Sequence, residues 1–484
     1  MTTETMEGLL IGGARQPAAD GRTFASENPA TGEIIAQVAE AGQEDVDRAV
    51  RVARRAFDEG PWRWLQGNKR GRLLLKIAAA MRQRSGELAD LEVRNGGKTI
   101  ADARDEVLGA ASCFEYYAGA VARITGETIP VSAPGLDLTL REPVGVCAQI
   151  IPWNFPIVMA AWKLAPALAA GCTVVLKPAE QTPLTALALG DIIADVGVPE
   201  GVVNVVTGPG ETTGSALIHH PLIDKIAFTG STEVGKIVMR AAADGIKRVS
   251  LELGGKSPNI IFDDVDIESV VEQSVYSVFA NAGQDCCARS RFFVPETIAE
   301  RFTTALAERT CRLRVGNPAL EETEIGPLIS REQRDRVEGY LDIGRHEGAT
   351  VLCGGTRPDD GELSRGYFLR PAILGGVRND MRIAQEEIFG PVVGVISFRD
   401  EAEAIRLAND TRYGLSGSIW TRDIGRAIRV MRRVRSGNLS VNSASSVFIE
   451  APFGGFKMSG IGRELGMKAL DLYTEVKNIY ISPE

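Results

Sequence analysis

The sequence predicts an α/β protein with two doubly wound lobes, each built on a parallel β-sheet. From Val144 to Gly255, short apolar strand segments alternate with turns and helix-compatible segments. The alternation starts again after Gly255, with a strand predicted at Asn259–Phe262. A chain of 484 residues is also too long for one ordinary domain, so we expect two or three parts.

Local signals support each element of the first lobe. Pro156–Ala170 is compatible with a helix, and the glycine after it is typical of a helix C-terminus. Cys172–Pro178 predicts a buried strand because β-branched residues are abundant in it. Thr182–Pro183 predicts the N-cap and first position of a helix that runs to about Val196. The other predicted strands are Val146–Ile151, Val202–Thr207, Lys225–Phe228 and Arg248–Leu253.

Elements are also predicted after and before this lobe. The second lobe continues with helix Ile267–Ala282, strand Ser290–Val294 and helix Pro295–Cys311. Gln43–Arg55 and Asn68–Arg94 predict two helices with one strongly charged face each. Thr125–Arg141 and Val476–Ser482 alternate as strands do, and we expect paired edge strands used in oligomer contacts.

Composition and charge restrict the function. The chain is 44% hydrophobic and 24% charged, which is typical of a soluble globular enzyme. The net charge of −9 and the lack of a long Lys/Arg run argue against a nucleic-acid partner. No uncharged apolar run is long enough to predict a membrane span. Because Met1–Leu10 is acidic and has no long apolar segment, we expect no signal peptide and a cytoplasmic location.

The cysteines predict neither a disulfide framework nor a metal site. The seven are Cys113, Cys147, Cys172, Cys286, Cys287, Cys311 and Cys353. An odd number without framework spacing suits a reducing compartment. Neighbours such as Cys286 and Cys287 rarely pair, because a disulfide needs well-separated Cα atoms. With three histidines and no CxxC or HExxH motif, we expect no metal ion.

Ligand-binding signals occur at the ends of predicted strands. Thr207–Gly214 and Phe228–Gly235 are glycine-rich turns, in which the backbone can approach a phosphate closely. Neither is a GxGxxG motif, so ordinary βα turns are an equal alternative. Lys177 and Glu180 follow another strand, and Glu180 could accept hydrogen bonds from ribose hydroxyls and repel a 2′-phosphate. A solvated surface pair is the alternative for these two residues.

Two polar residues are candidates for chemistry. Glu252 is flanked by leucines and glycines, and poor solvation would raise its pKa toward the range of a general base. A salt-bridged core carboxylate is an equal alternative. Asn154 lies between prolines and aromatics, where its amide could face a developing oxyanion or form an Asx-turn.

Six segments occur in one order over nearly the whole chain: Pro152–Pro156, Phe228–Gly235, Leu251–Lys256, Asn281–Cys286, Glu386–Val392 and Pro452–Gly460. Together they resemble the motif series of the NAD(P)-dependent aldehyde dehydrogenase superfamily. The resemblance implies three parts: a Rossmann-like NAD-binding domain at 1–119 and 143–253, a Rossmann-like catalytic domain at 254–454, and a small oligomerisation β-sheet from bridging segments 120–142 and 455–484. It also implies a homodimer or homotetramer.

The resemblance also implies roles for individual residues. The catalytic positions are the nucleophile Cys286, the general base Glu252, the oxyanion amide Asn154 and the proton relay Lys163 and Glu464. The cofactor positions are Ile150, Pro152, Trp153, Asn154, Lys177, Glu180, Gly210, Phe228, Gly230, Ser231, Val234, Leu253, Gly254, Glu387 and Phe389. Trp162 resembles an aromatic residue that lines the substrate channel, and Cys287 is a bystander.

The implied reaction is the oxidation of an aldehyde to a carboxylic acid with NAD. Cys286 attacks the carbonyl, hydride passes to the nicotinamide, and water activated by Glu252 hydrolyses the thioester. Because Glu252 is present, hydrolysis is expected rather than transfer to coenzyme A. Glu180 favours NAD over NADP by repulsion, although NADP remains compatible.

Two other functions are alternatives to aldehyde oxidation. A cysteine acyltransferase or hydrolase without a cofactor would need a histidine base, and no histidine lies in a suggestive motif. A catalytically silent NAD-binding or structural protein of the same fold would not need Cys286, Glu252 and Asn154 together.

Asp285, directly before the nucleophile, is the main clue to the substrate. A carboxylate near the channel would favour a cationic ω-aminoaldehyde over a neutral aliphatic aldehyde, and Glu450 could add to this attraction. The alternative is that Asp285 faces Arg289 or a helix end and does not contact the substrate.

Overall fold

The computed structural model describes residues 5–359 and 361–483. Within them the strands form two large sheets and two three-stranded sheets, as the α/β prediction requires. The first four residues of the N-terminal segment used to predict the absence of a signal peptide lie outside the described residues. No helix of the described part is both long and apolar enough to cross a membrane.

The first large sheet has eight strands in the order β20-β12-β11-β8-β9-β10-β2-β3. Strands β8 to β12 run parallel, whereas β2, β3 and β20 are antiparallel additions at its edges. Their bounds are β2 Leu9–Ile11, β3 Ala14–Gln16, β8 Val146–Ile150, β9 Thr173–Lys177, β10 Val203–Val205, β11 Lys225–Thr229, β12 Arg248–Glu252 and β20 Gly460–Ile461. The parallel strands therefore end at one edge, where ligands of such sheets bind.

The second large sheet has seven strands in the order β15-β16-β17-β14-β13-β18-β19. All neighbours are parallel except β15, which is antiparallel to β16. The bounds are β13 Pro258–Ile261, β14 Arg291–Pro295, β15 Thr350–Cys353, β16 Ala372–Gly375, β17 Val392–Phe398, β18 Ser418–Trp420 and β19 Ser440–Val441. This sheet and its helices form a separate apolar core, which is rich in Ile, Val and Phe.

Helices cover both large sheets and supply most of the packed core. They are α1 Gln43–Asp58, α2 Gly67–Gln83, α3 Ser85–Gly96, α4 Ile100–Ala120, α5 Pro156–Ala170, α6 Leu184–Asp195, α7 Ser215–His219, α8 Thr232–Asp244, α9 Ile267–Phe279, α10 Ala299–Cys311, α11 Arg331–His346, α12 Arg382–Gln385, α13 Glu401–Asn409, α14 Ile424–Met431 and α15 Lys468–Asp471. Helices α2 to α6 bury one extensive apolar core beside the first sheet. Helix α5 is almost entirely buried, which explains why its sequence is apolar on all sides.

The two small sheets lie outside these layers. One contains β1 Thr5–Glu7, β4 Thr23–Asn28 and β5 Glu33–Ala39. The other contains β6 Thr128–Ile129, β7 Leu136–Pro143 and β21 Thr474–Ile481, with β7 in the middle. The strand-like segments predicted near residues 125–141 and 476–482 therefore do pair with each other, antiparallel over eight positions.

The segment after residue 455 is shared between two sheets. Before β21 it provides β20, which pairs with β12 so that Gly460 lies opposite Glu252. Ser459 extends this contact, because its Oγ donates to the Gly254 carbonyl oxygen at 2.7 Å, 205 positions away along the chain. The end of β12 is thus held by residues far away in sequence.

Several local predictions were wrong. Helix α10 begins at Ala299 rather than Pro295, which ends β14, and α9 ends at Phe279 rather than Ala282. The helix predicted at 68–94 is two helices, α2 and α3, which break at Arg84, just before Ser85 and the poor helix former Gly86. Thr182 does not cap α6. The Leu184 N–H instead donates to the Asn95 side-chain oxygen at 3.1 Å, so the cap comes from α3.

Candidate active site

A cleft of about 250 Å³ opens where strands of the first sheet end and faces the second sheet. Strands β8, β11 and β12 deliver side chains to it from the turns that follow them. The predicted site residues that line it are Pro152, Trp153, Asn154, Gly230, Ser231, Glu252, Leu253, Gly254, Cys286, Glu387 and Phe389. Five of the six sequence motifs therefore contribute residues to one compact site.

The turn before Cys286 has an unusual backbone. Asn281, Ala282 and Gly283 all have positive φ, of 50°, 55° and 71°. A left-handed conformation is costly for residues with a side chain, so the surrounding contacts must hold it. A Cβ atom at Gly283 would lie 2.3 Å from the Gly390 carbonyl oxygen. Only glycine therefore lets this turn pack against the segment after Phe389.

Gly283→Ala is expected to destabilise the protein and to displace the cysteine turn. Strain and overpacking each cost about 1–3 kcal/mol, so the free energy of unfolding should fall by roughly 2–5 kcal/mol. Denaturant unfolding measures this loss. The matched control is Gly109→Ala on α4, where a Cβ has no neighbour within 4 Å. Equal stability of the two variants would contradict the tight contact with Gly390.

Cys286 and Cys287 occupy the middle of a β-turn, closed by the Ala288 N–H donating to the Asp285 carbonyl oxygen at 3.0 Å. Cys286 is partly exposed and faces the cleft, whereas Cys287 is buried. The hydrogen bond with the Cys287 thiol, together with burial, raises the pKa of the Cys286 thiol well above its usual value. The thiol is therefore protonated at neutral pH until a base accepts the proton.

Asn154 is held by its backbone while part of its amide remains available. Its carbonyl oxygen accepts from Lys98 Nζ at 2.5 Å and from Asn281 Nδ2 at 2.8 Å. Its own Nδ2 donates to the Gln284 carbonyl oxygen at 2.9 Å. Since an amide nitrogen carries two hydrogens, one remains for an oxyanion formed at Cys286.

Glu252 lies in the cleft with 4% of its surface exposed, and neither of its carboxylate oxygens has a hydrogen-bond partner among the described residues. Burial raises its pKa well above the usual glutamate value, and the nearby Glu464 adds to this effect. Behind it, Lys163 and Glu464 form a fully buried ion pair. A carboxyl group with a raised pKa and free oxygens can accept a proton from water near neutral pH.

The cofactor half of the cleft lies around the start of α8. The Ser231 hydroxyl caps this helix by accepting from the Val234 N–H at 3.3 Å. Both neighbouring glycines are required by space: a Cβ at Gly230 would lie 2.6 Å from the Phe228 ring, and one at Gly254 would lie 2.1 Å from the Glu387 carboxylate. These features suit a diphosphate at the helix N-terminus.

Glu387 and Phe389 form the opposite wall. Glu387 accepts from the Gly255 N–H at 2.9 Å, and burial raises its pKa to about 7. The Phe389 ring meets Trp153 edge to face, with 5.2 Å between centroids. The positive φ of Phe389, 61°, is another strained position at the site.

Some predicted residues lie outside this cleft. Lys177 and Glu180 are at the end of β9, 3.6 Å apart between Nζ and Oε2. The other cofactor candidates that do not line the cleft are Ile150, Gly210, Phe228 and Val234. Trp162 packs edge to face on Phe453, and Glu450 is exposed. Neither lines the cleft or the second cavity described next.

A second cavity of about 310 Å³ lies on the other side of Phe155, which lines both. Asp285 and Cys287 line it, together with three acidic residues of α4: Asp102, Asp105 and Glu106. Burial raises the pKa of Glu106 to about 8 and also raises the pKa of Asp285. No histidine of the described residues lines either cavity.

Comparison with known proteins identifies the family. A family model described as "Aldehyde dehydrogenase family" matches residues 16–479. The chain belongs to the aldehyde dehydrogenase family. This confirms the resemblance and the fold that it implied, and makes the protein an aldehyde dehydrogenase.

Relatives of this aldehyde dehydrogenase match along nearly the whole chain. Betaine aldehyde dehydrogenase of Bacillus subtilis is 48% identical over 454 residues, which are 94% of this chain and 93% of the relative. The mitochondrial aldehyde dehydrogenase of Homo sapiens is 46% identical over 98% of this chain and 91% of its own. The structure of betaine aldehyde dehydrogenase from Staphylococcus aureus in complex with NAD+ has a TM-score of 0.98 and 40% identity, covering 99% and 96% of the two chains. The NAD+ complex of aldehyde dehydrogenase from Bacillus cereus has a TM-score of 0.97 and 44% identity, covering 100% and 98%.

The structure of this aldehyde dehydrogenase also adds residues that the sequence did not indicate. Gln333 Nε2 donates to the Phe389 carbonyl oxygen at 2.7 Å, and Arg336 Nη2 donates to that of Glu387 at 3.0 Å. Both line the cleft from the start of α11, together with Thr229, Phe155 and Met159. Helix α11 thus holds the Glu387–Phe389 wall in place. No local sequence pattern identifies Gln333 and Arg336 as site residues, so only their position in the structure does.

Proposed function

We propose that this aldehyde dehydrogenase oxidises aldehydes to carboxylic acids with NAD, and that it prefers cationic substrates such as ω-aminoaldehydes. The acidic lining of the second cavity is the observation that supports this substrate class. Four carboxyl groups line it, and one of them, Asp285, immediately precedes the nucleophile in sequence. A low-dielectric cavity with several carboxylates attracts a cation more strongly than a solvated surface does.

Arg289, whose guanidinium lies on the cavity wall, offsets part of this acidic charge, because it interacts electrostatically with Asp285. It also forms local hydrogen bonds: its Nε donates to Ser418 Oγ at 3.1 Å, and its Nη1 donates to the Cys287 carbonyl oxygen at 2.6 Å. Glu106, whose pKa burial raises to about 8, adds little negative charge at neutral pH. The carboxylates of Asp102, Asp105 and Asp285 still outnumber the cations Arg289 and Lys98, and Lys98 contacts Glu106 at 2.9 Å. The Bacillus subtilis and Staphylococcus aureus relatives act on betaine aldehyde, which carries a quaternary ammonium group, and this supports the proposal.

Residues of the cleft and of the neighbouring end of β9 fit NAD. Lys177 and Glu180 can bind the adenosine ribose, the N-terminus of α8 can bind the diphosphate, and Glu387 can bind the nicotinamide ribose. When bound, NAD supplies the hydride acceptor for the reaction. The Glu180 carboxylate repels a 2′-phosphate, which favours NAD over NADP.

The first chemical step uses Cys286 and Asn154. The Cys286 thiol gives up its proton to solvent, and its sulfur attacks the aldehyde carbonyl. The oxyanion that forms is stabilised by the free Asn154 N–H and by the Cys286 backbone N–H. Loss of hydride then leaves a thioester on Cys286.

Glu252 completes the cycle by accepting a proton from the water that attacks the thioester. The acid leaves, and Cys286 is regenerated as a free thiol. We propose that the Lys163–Glu464 pair carries the proton away from Glu252, because the pair is buried directly behind it and Glu464 interacts electrostatically with it.

Asp285→Asn is expected to lower kcat/KM for 3-aminopropanal by roughly 5–10-fold while changing that for butanal, its neutral isostere, by less than about 2-fold. The reason is that the variant removes one charge near the substrate and keeps the shape. The measurement is the ratio of the two kcat/KM values from NADH absorbance. A second variant, Asp105→Asn, tests the α4 wall of the cavity.

The matched control is Glu308→Gln, which removes the same charge from the exposed surface of α10. It should leave the ratio unchanged. Glu450→Gln decides whether the exposed loop residue contributes. A ratio that is equal in the wild type, Asp285→Asn and Glu308→Gln would reject the cationic substrate class and leave a neutral aliphatic aldehyde.

We also propose that the protein is a homodimer or homotetramer assembled through the sheet β6-β7-β21. This sheet exposes large apolar side chains, which are Leu136, Leu140, Val476, Tyr480 and Ile481. Exposed apolar strands of this kind are typical of interaction surfaces. A cytoplasmic location remains a prediction from the sequence.

A further inference from the structure

The nucleophile Cys286 lies in a cluster with two side chains, those of Asp285 and Cys287, that take no part in the chemical steps of aldehyde oxidation. Asp285, Cys286 and Cys287 each offer one ligand atom, and these three atoms lie within 4.8 Å of one another. Zinc binds thiolate sulfur at about 2.3 Å and carboxylate oxygen at about 2.0–2.2 Å, so tetrahedral ligands lie roughly 3.5–3.8 Å apart. The ligand atoms therefore have to approach one another by at most about 1 Å to match a tetrahedral site.

We propose that Asp285, Cys286 and Cys287 form an inhibitory binding site for a thiophilic divalent cation such as Zn²⁺. The sequence predicts no metal site because it contains no CxxC or HExxH motif. The β-turn at Asp285–Ala288 brings the two thiols together in a different way, by placing the adjacent cysteines at its two central positions. Thiolates are ligands that select zinc over magnesium or calcium.

The second cavity offers the cation a route to the cluster. It is lined by Asp285 and Cys287 and by the carboxyl groups of α4, and such an acidic lining raises the local concentration of cations. The Asp285 carboxylate is already positioned, since one oxygen accepts from the Cys287 N–H at 2.8 Å. Because the Asp285 side chain is already ordered, metal binding costs less conformational entropy.

Binding exchanges protons for the metal without oxidation or reduction. Zn²⁺ forms two Zn–S bonds and one Zn–O bond, the two thiol protons pass to solvent, and the other metal-bound waters leave until one remains. A zinc ion with three protein ligands commonly keeps water as the fourth. Because the Cys286 sulfur lone pair is then shared with the metal, Cys286 cannot attack an aldehyde. A chelator reverses the block.

The first test is steady-state inhibition with butanal, at free Zn²⁺ concentrations fixed by a metal buffer. The wild type should be inhibited, and EDTA should restore its full rate. Partners that only support a metal ligand are worth roughly 10–100-fold in affinity, so losing a ligand should weaken inhibition at least about 10-fold. We expect this for Cys287→Ser and Asp285→Asn, each compared with its own uninhibited rate.

The second test reads binding without turnover, from the ultraviolet charge-transfer absorption of Cd²⁺ bound to thiolate. It is run in a Cys311→Ser background, because the Cys311 and Cys353 thiols are also in hydrogen-bond contact and would add a signal. Adding Cys287→Ser should remove most of the remaining absorption. Cys311→Ser alone should leave zinc inhibition unchanged.

The proposal rests on the proposed function only in taking Cys286 as the reacting thiol. If the cationic preference fails, the butanal assay still reports inhibition. If turnover fails altogether, the cadmium titration still reports the site. Equal zinc sensitivity of the wild type and Cys287→Ser, or a cadmium signal unaffected by Cys287→Ser, would overturn the three-ligand site and leave binding to Cys286 alone or to other groups.

Discussion

Cys286→Ser is expected to abolish NADH formation, lowering kcat by roughly 10⁴-fold or more. The serine hydroxyl is a far weaker nucleophile than a thiolate, and the cleft offers it no histidine as a base. The structure makes the effect specific, because Cys286 faces the cleft while its neighbour is buried. The measurement is NADH absorbance with saturating aldehyde and NAD.

Two other serine variants make this result interpretable. Cys287→Ser should retain turnover, because its side chain faces the second cavity rather than the aldehyde carbon. Cys311→Ser, at the exposed end of α10, controls for loss of a thiol elsewhere. NAD binding to Cys286→Ser, measured by calorimetry, should persist. If Cys287→Ser were the inactive variant instead, the assignment of the nucleophile would be wrong, and if neither the wild type nor any variant produced NADH, a silent binding protein would be the better description.

Glu252→Gln is expected to block the second half of the reaction more than the first. The amide cannot accept a proton from water, so kcat should fall by roughly 10²–10⁴-fold. A rapid-mixing experiment should still show a burst of NADH, up to one equivalent of active sites, because Cys286 does not need Glu252 to lose its proton. Mass spectrometry should then detect the acyl group on Cys286.

The pH profile provides an independent check on Glu252. Because burial raises its pKa well above the usual value, the active carboxylate form is gained as pH rises, and kcat of the wild type should rise with pH. Glu252→Gln should lose this rise. A Glu252→Gln enzyme with normal steady-state turnover would show that another group activates water, and Glu464 would be the next candidate.

Much of this site could be predicted because its residues follow strands. Asn154, Ser231 and Glu252 each lie at or just after the end of a parallel strand, and such ends converge at one edge of a sheet. Cys286 was different. It lies after a left-handed turn that no local propensity favours, so its position in the cleft followed from the resemblance and not from the pattern of strands and helices.

The parts that could not be predicted depend on contacts between distant segments. Gln333 and Arg336 lie in α11, a helix rich in charged residues, and their contact with the Glu387–Phe389 wall depends on a segment more than 50 positions away. The acidic lining of the second cavity could not be predicted for the same reason. Asp285 was visible as an unusual neighbour of the nucleophile, but its partners Asp102 and Glu106 lie on α4, far earlier in the chain.

The contact between Ser459 and the end of β12 bears on when the enzyme becomes active during synthesis. Strands β13 to β19 all lie in the 205 positions that separate Gly254 from Ser459. A nascent chain therefore completes every strand of the second sheet before the surroundings of Glu252 can close. Since lobes tend to fold as units during translation and long-range contacts form late, the ribosome-bound chain can hold a folded first lobe without a working base. Activity should then be acquired in a single late step of synthesis, so that an incomplete chain does not turn over aldehydes.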